Sequence, residues 1–581
     1  MAETAFMDKL TALCKRRGFI YQSSEIYGGI GGFWDYGPLG VELKRNIKDL
    51  WWRDMVTNPP NGADGHEVEM VGVDCSIIMN PKVWEASGHA TGFADPMVDC
   101  RQCKARFRAD KIWQLLVLQE EATEAFFKAR EFERDNPGSK VNTEAGLLLA
   151  VGAEADGAAE VMSRAQSLIR SEAKKRNVAP LKRASVTDVK RKALFAVAES
   201  DNDESTGYLG VLARPVQVAL EIQVCPNCQS VGTLTEPRAF NLMFQTYVGA
   251  VQDDSAKAYL RPETAQGIFV NFKNVLDTTR VKVPFGIAQV GKSFRNEINP
   301  RNYTFRSREF EQMEIEFFCH AADSMKWYEF WRKVRFDWYV NLGLKSEKLR
   351  LRDQGPEELA HYSKACADIE YLFPFSDEHQ ELEGVAHRGN YDLTQHAKHS
   401  GKDLTYFDDE AWERDKANFG GDKAKEKTAK NAEPYRFLPT VIEPSAGADR
   451  ATLAFLCEAY TEDQAPDENG VMQTRVLMKF HPKLAPIKVA VFPLVKKEGM
   501  PDIAQAIYRD LKQHMTAFYD DKGAVGRRYR RQDEVGTPFC ITVDGDTLKD
   551  GTVTIRDRDT LAQVRIHKDA VRDWLRERLG R

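Results

Sequence analysis

Residues 291–318, GKSFRNEINPRNYTFRSREFEQMEIEFF, constrain the fold more than any other stretch. Two strand-patterned runs flank a polar connection carrying Asn299, Pro300 and Asn302, which predicts a long antiparallel hairpin. By the two-residue strand period, Met313, Ile315 and Phe317 share one face, and Phe310, Gln312, Glu314 and Glu316 the other. In the first run Arg295 and Glu297 share a face. A sheet face bearing arginine, an aromatic ring and several carboxylates is costly to bury without partners, so it is expected to meet a ligand. The competing reading is a solvated hairpin laced with surface ion pairs, each worth little.

Length and composition frame that hairpin. At 581 residues the chain has room for about three to four domains. An apolar fraction of 42% and a charged fraction of 29% describe an ordinary soluble protein with ample core. No run of about 18 apolar residues exists, so no membrane span is expected. The start, MAETAFMDKLTALCKRRGF, reads as a short amphipathic helix without the apolar core of a secretory signal, and a cytoplasmic location is expected. The net charge of −5, from 82 basic and 87 acidic residues, argues against nucleic-acid binding over the whole surface. Residues 483–581 hold 20 Lys plus Arg against 15 Asp plus Glu, which would suit an RNA held at one end or serve solubility alone.

The ten cysteines include two close pairs, Cys100 with Cys103 and Cys225 with Cys228. Disulfides are not expected in a cytosolic chain. Two Cys-x-x-Cys turns can bring four thiolates to one tetrahedral zinc, although a gap of roughly 120 residues requires tertiary structure to close the site. Free thiols are the alternative.

Along the chain, Gly37-Pro38 marks a helix start, and Leu39, Leu43, Ile47 and Leu50 follow at helical spacing. The next segment is strand-like as far as Pro81. The glycines of residues 28–32 do not sit between a strand and a helix as a phosphate loop requires. Residues 111–220 are rich in alanine and alternating charge, predicting helices on an inserted domain. WYEFWRKVRFDWYVNLGL reads as an aromatic core helix, and residues 402–432 as a lysine-rich, solvent-exposed insertion. Gly447, Ala448, Asp449 and Arg450 open a further helix whose N-terminus favours an anionic ligand. Strands and helices then alternate, predicting a small α/β domain with a mixed sheet.

These motifs carry a resemblance. FRNE, a loop, then REFEQMEIEFF is similar to motif 2 of the class II aminoacyl-tRNA synthetases, and closely to the glycyl type. The helix–strand–proline order ahead of Pro81 resembles motif 1, which in the family builds a homodimer, and GADR resembles motif 3. AYLRPETAQG, the Glu381-Leu382 segment running to Arg388, and VIEPSAGADR resemble glycyl-type wording. The resemblance implies an α/β (α+β) class II core: an antiparallel sheet flanked by helices in two parts, 1–110 and 221–480. A helical insertion at 111–220 and an anticodon-binding domain at 481–581 complete the expected organisation.

It also implies residue roles. Arg295, Glu297 and Arg450 would be catalytic. ATP would meet Arg295, Asn296, Glu297, Phe305, Arg306, Phe310, Glu381, Leu382, Gly447, Asp449 and Arg450, with Mg²⁺ neutralising phosphate charge. Arg450 would cover adenine opposite Phe310. Glycine would meet Arg108, Glu263, Phe310, Glu311, Gln312, Met313, Glu314, Glu443, Ser445 and Gly447. Arg527, Arg528, Arg530 and Arg531 would meet the phosphates of tRNA(Gly), and Tyr529 would stack a base. Cys100, Cys103, Cys225 and Cys228 would hold structural zinc. The expected activity is joining glycine to its tRNA. The alternatives are a threonyl- or prolyl-type enzyme of the same subgroup, or a paralogue that has lost catalysis; the second typically loses the nucleotide-binding arginines, which are present here.

Overall fold

The computed structural model describes residues 2–109, 225, 227–228, 233–356, 358–359, 363–466 and 470–580. It also describes the backbone of the strand pieces Gln114–Val117, Val141–Asn142, Glu199–Ser200 and Leu220–Gln223. The chain forms two compact units, one of Met1–Gly92 with Met243–Arg581, the other of Phe93–Leu242.

The first unit is built on a seven-stranded sheet. Its strands are β1 (Glu69–Gly72), β2 (Phe285–Phe294), β3 (Glu309–Cys319), β4 (Leu349–Asp353), β5 (Ala365–Tyr371), β6 (Gln380–Gly389) and β7 (Thr440–Gly447). They lie in the order β4-β5-β6-β7-β3-β2-β1, antiparallel throughout except for β1 beside β2. The expected hairpin is β2–β3, with Gly291 opposite Gln312 and Gln289 opposite Glu314. The helices of this unit that bear on the argument are α1 (Ala2–Arg17), α2 (Pro38–Trp52), α3 (Ala265–Thr279), α4 (Ser324–Asn341), α5 (Tyr391–Ser400), α6 (Ala448–Ala459), α7 (Met500–Lys512), α8 (Val525–Val535) and α9 (Val571–Leu579).

The alternation along β3 divides the sheet as the pattern predicts. Met313, Ile315 and Phe317 are fully buried in the main apolar core with Leu43, Ile47 and Trp51 of α2 and Trp327 and Trp331 of α4. Pro38 opens α2 at a position where its missing N–H costs nothing. On the opposite face Phe318 packs against Phe285 and Phe272. Nearer the middle that face turns polar: Gln289, Gln312, Glu314 and Glu316 are all buried. The solvated-hairpin reading is therefore wrong. Arg335 of α4, with no exposed surface, forks onto Glu383 of β6 at 2.7 and 3.0 Å and locks that helix to the sheet.

The chain ends in a second sheet of β8 (Val489–Pro493), β9 (Ala517–Tyr519), β10 (Phe539–Val543), β11 (Thr552–Asp557) and β12 (Gln563–His567), in the order β9-β8-β10-β11-β12. Strand β8 runs parallel to both neighbours and the remaining pairs are antiparallel, so the sheet is mixed, as expected. Ala504, Ile507 and Leu511 of α7 and Val571, Leu575 and Leu579 of α9 cover one face. The lysine-rich insertion is mostly exposed, as expected, but it is not featureless. It folds into two short helices, Asp409–Asp415 and Lys423–Lys430, around Trp412, Phe419 and Tyr435, three aromatics that composition alone hid among the lysines.

In the second unit, Arg238–Asn241, Ala94–Asp99 and Arg106–Arg108 form a three-stranded antiparallel sheet. The helices expected across 111–220 lie outside the described residues. No helix among the described residues is long and apolar enough to cross a membrane.

Candidate active site

Where β2 leaves the sheet and β3 enters it, the polar hairpin face opens into a cleft. Arg295, Glu297, Phe305, Arg306, Phe310, Gln312, Glu381, Leu382, Ser445, Gly447, Asp449 and Arg450 line it. Two arginines lie over two rings: the Arg295 guanidinium carbon is 5.5 Å from the Phe310 centroid, and that of Arg450 is 4.7 Å from Phe305. The expectation sets Arg450 opposite Phe310; the structure lays it on Phe305 instead. Arg450 Nε donates to the Phe305 carbonyl and Nη1 to the Glu381 carbonyl, each at 3.1 Å. Its charge holds the Glu381 carboxyl below the usual range. Arg295 Nε donates to the Pro262 carbonyl at 3.1 Å, tying the hairpin to the loop that carries Glu263. Three guanidinium groups on one cleft suit an anion with several oxygens. Asn296 does not line the cleft.

Beside the cleft lies a buried acidic pocket. Ser445 of β7 donates to Glu314 at 2.8 Å, Thr264 donates to its other oxygen, and Gln312 Nε2 lies 3.3 Å from Ser445. Gln266 bridges Glu263 and Asp392 at 3.0 and 2.9 Å. Arg388 forks onto Asp392 at 2.9 and 3.0 Å and also meets Glu443. His89 Nε2 lies 3.4 Å from Glu263.

The carboxyls are shifted in opposite directions because their partners differ. Burial pushes Glu314 up and the neighbouring Glu263 charge adds to it, against the hydroxyls of Thr264 and Ser445. Burial pushes Glu443 up, Arg388 opposing and Glu314 and Glu263 reinforcing. Burial pushes Glu263 up too, but His89, Arg388 and Gln266 outweigh it and hold the group well below the usual range. A pocket of unevenly charged carboxyls can take an ammonium group without a large desolvation loss.

In the second unit the four cysteine sulfurs come together. Cys100 Sγ is 3.7 Å from Cys228 Sγ, Cys103 Sγ is 3.6 Å from Cys225 Sγ, and all four lie within 4.8 Å of one another.

Residues 246–403 match the family described as the tRNA synthetase class II core domain (G, H, P, S and T), and residues 488–578 match the anticodon binding domain. Over 99% of both chains the sequence is 52% identical to a glycine–tRNA ligase of Rhodopirellula baltica. It is 44% identical to that of Clostridium perfringens over 98% of each chain, and 42% identical to that of Thermobifida fusca over 100% of this chain and 99% of the relative. The chain belongs to the glycine–tRNA ligase family.

Several residues assigned from the family resemblance sit elsewhere. Glu311 and Met313 belong to the other face of β3: Met313 is in the apolar core, and Glu311 pairs with Lys44 at 2.6 Å and Lys48 at 2.9 Å. Strand alternation forbids four consecutive residues from facing one substrate. Asp449 borders the cleft, but its oxygens are engaged behind it, accepting from Tyr36 at 2.6 Å, Lys44 at 2.8 Å and the Glu311 N–H at 2.7 Å. These contacts brace α6 against β3. Leu382 is buried in the core at the cleft's edge. Arg108 belongs to the second unit and pairs with Asp95 at 2.9 Å.

Of the α8 arginines expected on tRNA, Arg528 is buried and donates to the carbonyls of Gly523, Pro493 and Leu494, so it cannot meet a phosphate. Arg530 donates to the Ala465 and Pro466 carbonyls, Arg531 pairs with Asp520, and Arg527 is exposed. Tyr529 packs on Phe492 under Arg556 and bonds Thr542, which removes it from base stacking.

The family assignment did not bring in Thr264, Gln266, Asp392 or Lys44. A signal existed for Asp392, which follows Arg388 by four residues as the chain turns from β6 into α5. Nothing local pointed to Lys44.

Proposed function

We propose that the cleft and pocket together activate glycine with ATP and then pass the glycyl group to the 3′ end of a tRNA. A glycine carboxylate oxygen attacks the α-phosphorus, the bond to pyrophosphate breaks, and glycyl-adenylate forms. A terminal ribose hydroxyl of the tRNA then attacks the carbonyl and AMP leaves. The chain supplies position and positive charge rather than a nucleophile. One observation carries the reading: the arginine–aromatic cleft and the buried acidic pocket share strand β3, so the nucleotide and the ammonium ion are held by one rigid element. Mg²⁺ would neutralise the phosphates, and Glu297 and Glu381 on the cleft are carboxylates that could hold it.

A small acidic pocket excludes larger amino acids by lack of room, and nothing smaller than glycine competes, so editing is not required. Amino-acid-dependent exchange of pyrophosphate into ATP tests the assignment. Exchange is expected with glycine and at least about 10²-fold less with alanine, serine or threonine. Exchange driven best by threonine would refute it.

The four thiolates fit a structural zinc. Tetrahedral Zn–S bonds set the sulfurs about 3.8 Å apart, and the observed 3.6 and 3.7 Å separations match that spacing. Metal analysis of the purified chain is expected to give one zinc per chain, lost in a Cys103→Ser, Cys228→Ser double variant; full zinc in that variant would rule the site out. Exposed apolar side chains in the segment that precedes α2 in sequence, Ile26, Tyr27 and Ile30, support a homodimer.

A further inference from the structure

Glu316 is the acid on the polar face of β3 that the reading above does not use. It has no exposed surface, and neither of its oxygens has a hydrogen-bond partner among the described residues. Such a group is costly as an anion. Its setting makes ionisation harder still. The register pairs Glu314 with Ser445 and Phe317 with Ile442, which places Glu316 opposite Glu443 on β7. Oxygens of Glu314, Glu316 and Glu443 lie within 4.8 Å of one another. The charged groups facing Glu316 are Glu443 on β7, Arg388 on β6, Glu314 on its own strand and Asp392 on α5. The one cation among them, Arg388, is already in contact with Asp392 and Glu443.

We infer that Glu316 is a positioning residue that stays a neutral acid, carrying the single proton of the cross-strand Glu316–Glu443 pair. Two carboxyls facing each other across a dry sheet cannot both ionise, and the member without a partner keeps the proton. Burial, with the Glu443 charge beside it, pushes Glu316 well above the usual carboxylate range, in line with that geometry. The neutral acid presents an O–H beneath the pocket. Glu443 then stays oriented without a second negative charge pressing on it, and the ammonium group of the substrate meets Glu314 and Glu443 rather than a floor of mutually repelling anions. The assignment rests on the reaction proposed above only for its kinetic test.

Two near-isosteric variants and one spectrum decide it. Glu316→Gln keeps a donor toward Glu443; Glu316→Leu keeps the volume and removes the donor. In exchange assays, Glu316→Gln is expected to hold the glycine KM within about threefold, and Glu316→Leu to raise it about tenfold with the ATP KM unmoved. A proton held by Glu316 also contributes one carboxylic-acid C=O stretch in the infrared at neutral pH, so the wild-type-minus-Glu316→Gln difference spectrum is expected to show the loss of one such band. If the difference spectrum shows no loss of a carboxylic-acid band, or if the glutamine and leucine variants share one glycine KM, the inference is overturned. The spectrum needs no substrate, so it decides Glu316 even if exchange with glycine fails.

Discussion

Replacing Arg295 with alanine is expected to lower glycine-dependent pyrophosphate exchange about 10³-fold while leaving the fold intact. Arg295 lines the cleft, is not deeply buried, and has its guanidinium over Phe310 with Nε on the Pro262 carbonyl. Within the protein, losing an arginine over a ring costs only about 1 kcal/mol. Toward a phosphate in transition the same group forks two charge-assisted hydrogen bonds, each worth about 2 kcal/mol. Their sum of about 4 kcal/mol is about 10³-fold in rate. The two magnitudes separate a catalytic from a structural role. Arg295→Lys keeps the charge and loses the fork, so most of the loss is expected to persist. Exchange within about threefold of wild type in Arg295→Ala would place the reacting phosphate elsewhere.

The architecture around that arginine was legible in the sequence because strand alternation is a local rule. Met313, Ile315 and Phe317 fell on one face and Gln312, Glu314 and Glu316 on the other, and the structure keeps both sets. The same rule corrects the substrate residues: Glu311 and Met313, taken with Gln312 and Glu314 as one block, must point the other way. What was not legible depends on tertiary partners. Arg528 reads like its neighbours in a basic helix, yet carbonyls at the end of β8 bury it. Arg450 finds Phe305 rather than Phe310 because the connection between β2 and β3 folds back, with Tyr303–Phe305 as a short turn of helix, which no periodicity announces. Lys44 sits 267 residues from the nearer of its two acidic partners, Glu311.

Lys44→Met is expected to destabilise the protein by about 3 kcal/mol and to lower exchange as well. Lys44, almost wholly buried on α2, pairs with Glu311 of β3 at 2.6 Å and with Asp449 of α6 at 2.8 Å. Methionine fills the volume but leaves two carboxylates facing each other in a dry site, which is why the loss exceeds that of a surface pair. Arg450 is the next residue after Asp449, and a shift of about 1 Å at a catalytic group can cost 10²-fold in rate. The pH dependence identifies the cause. Burial pushes Glu311 up, but Lys44 and Lys48 hold it down at about 2, against an ordinary 4.5. A depressed carboxyl contributes stability that is fully present above 4.5 and is lost as the pH falls toward 2. Lys44 itself is raised from 10.5 by Asp449 and Glu311 in spite of burial, so its contribution is present below 10.5 and fades above it. The gap between wild type and Lys44→Met is therefore expected to be flat from mildly acidic pH to about 10 and to close on both sides. Amide exchange in α6 gives a local readout that does not assume two-state unfolding of a long chain. In a double-mutant cycle, Lys44→Met with Glu311→Gln should recover part of the loss, because the second change removes one stranded charge. A gap that persists unchanged at pH 2 to 3, or two effects that simply add, would show that Lys44 acts through packing alone.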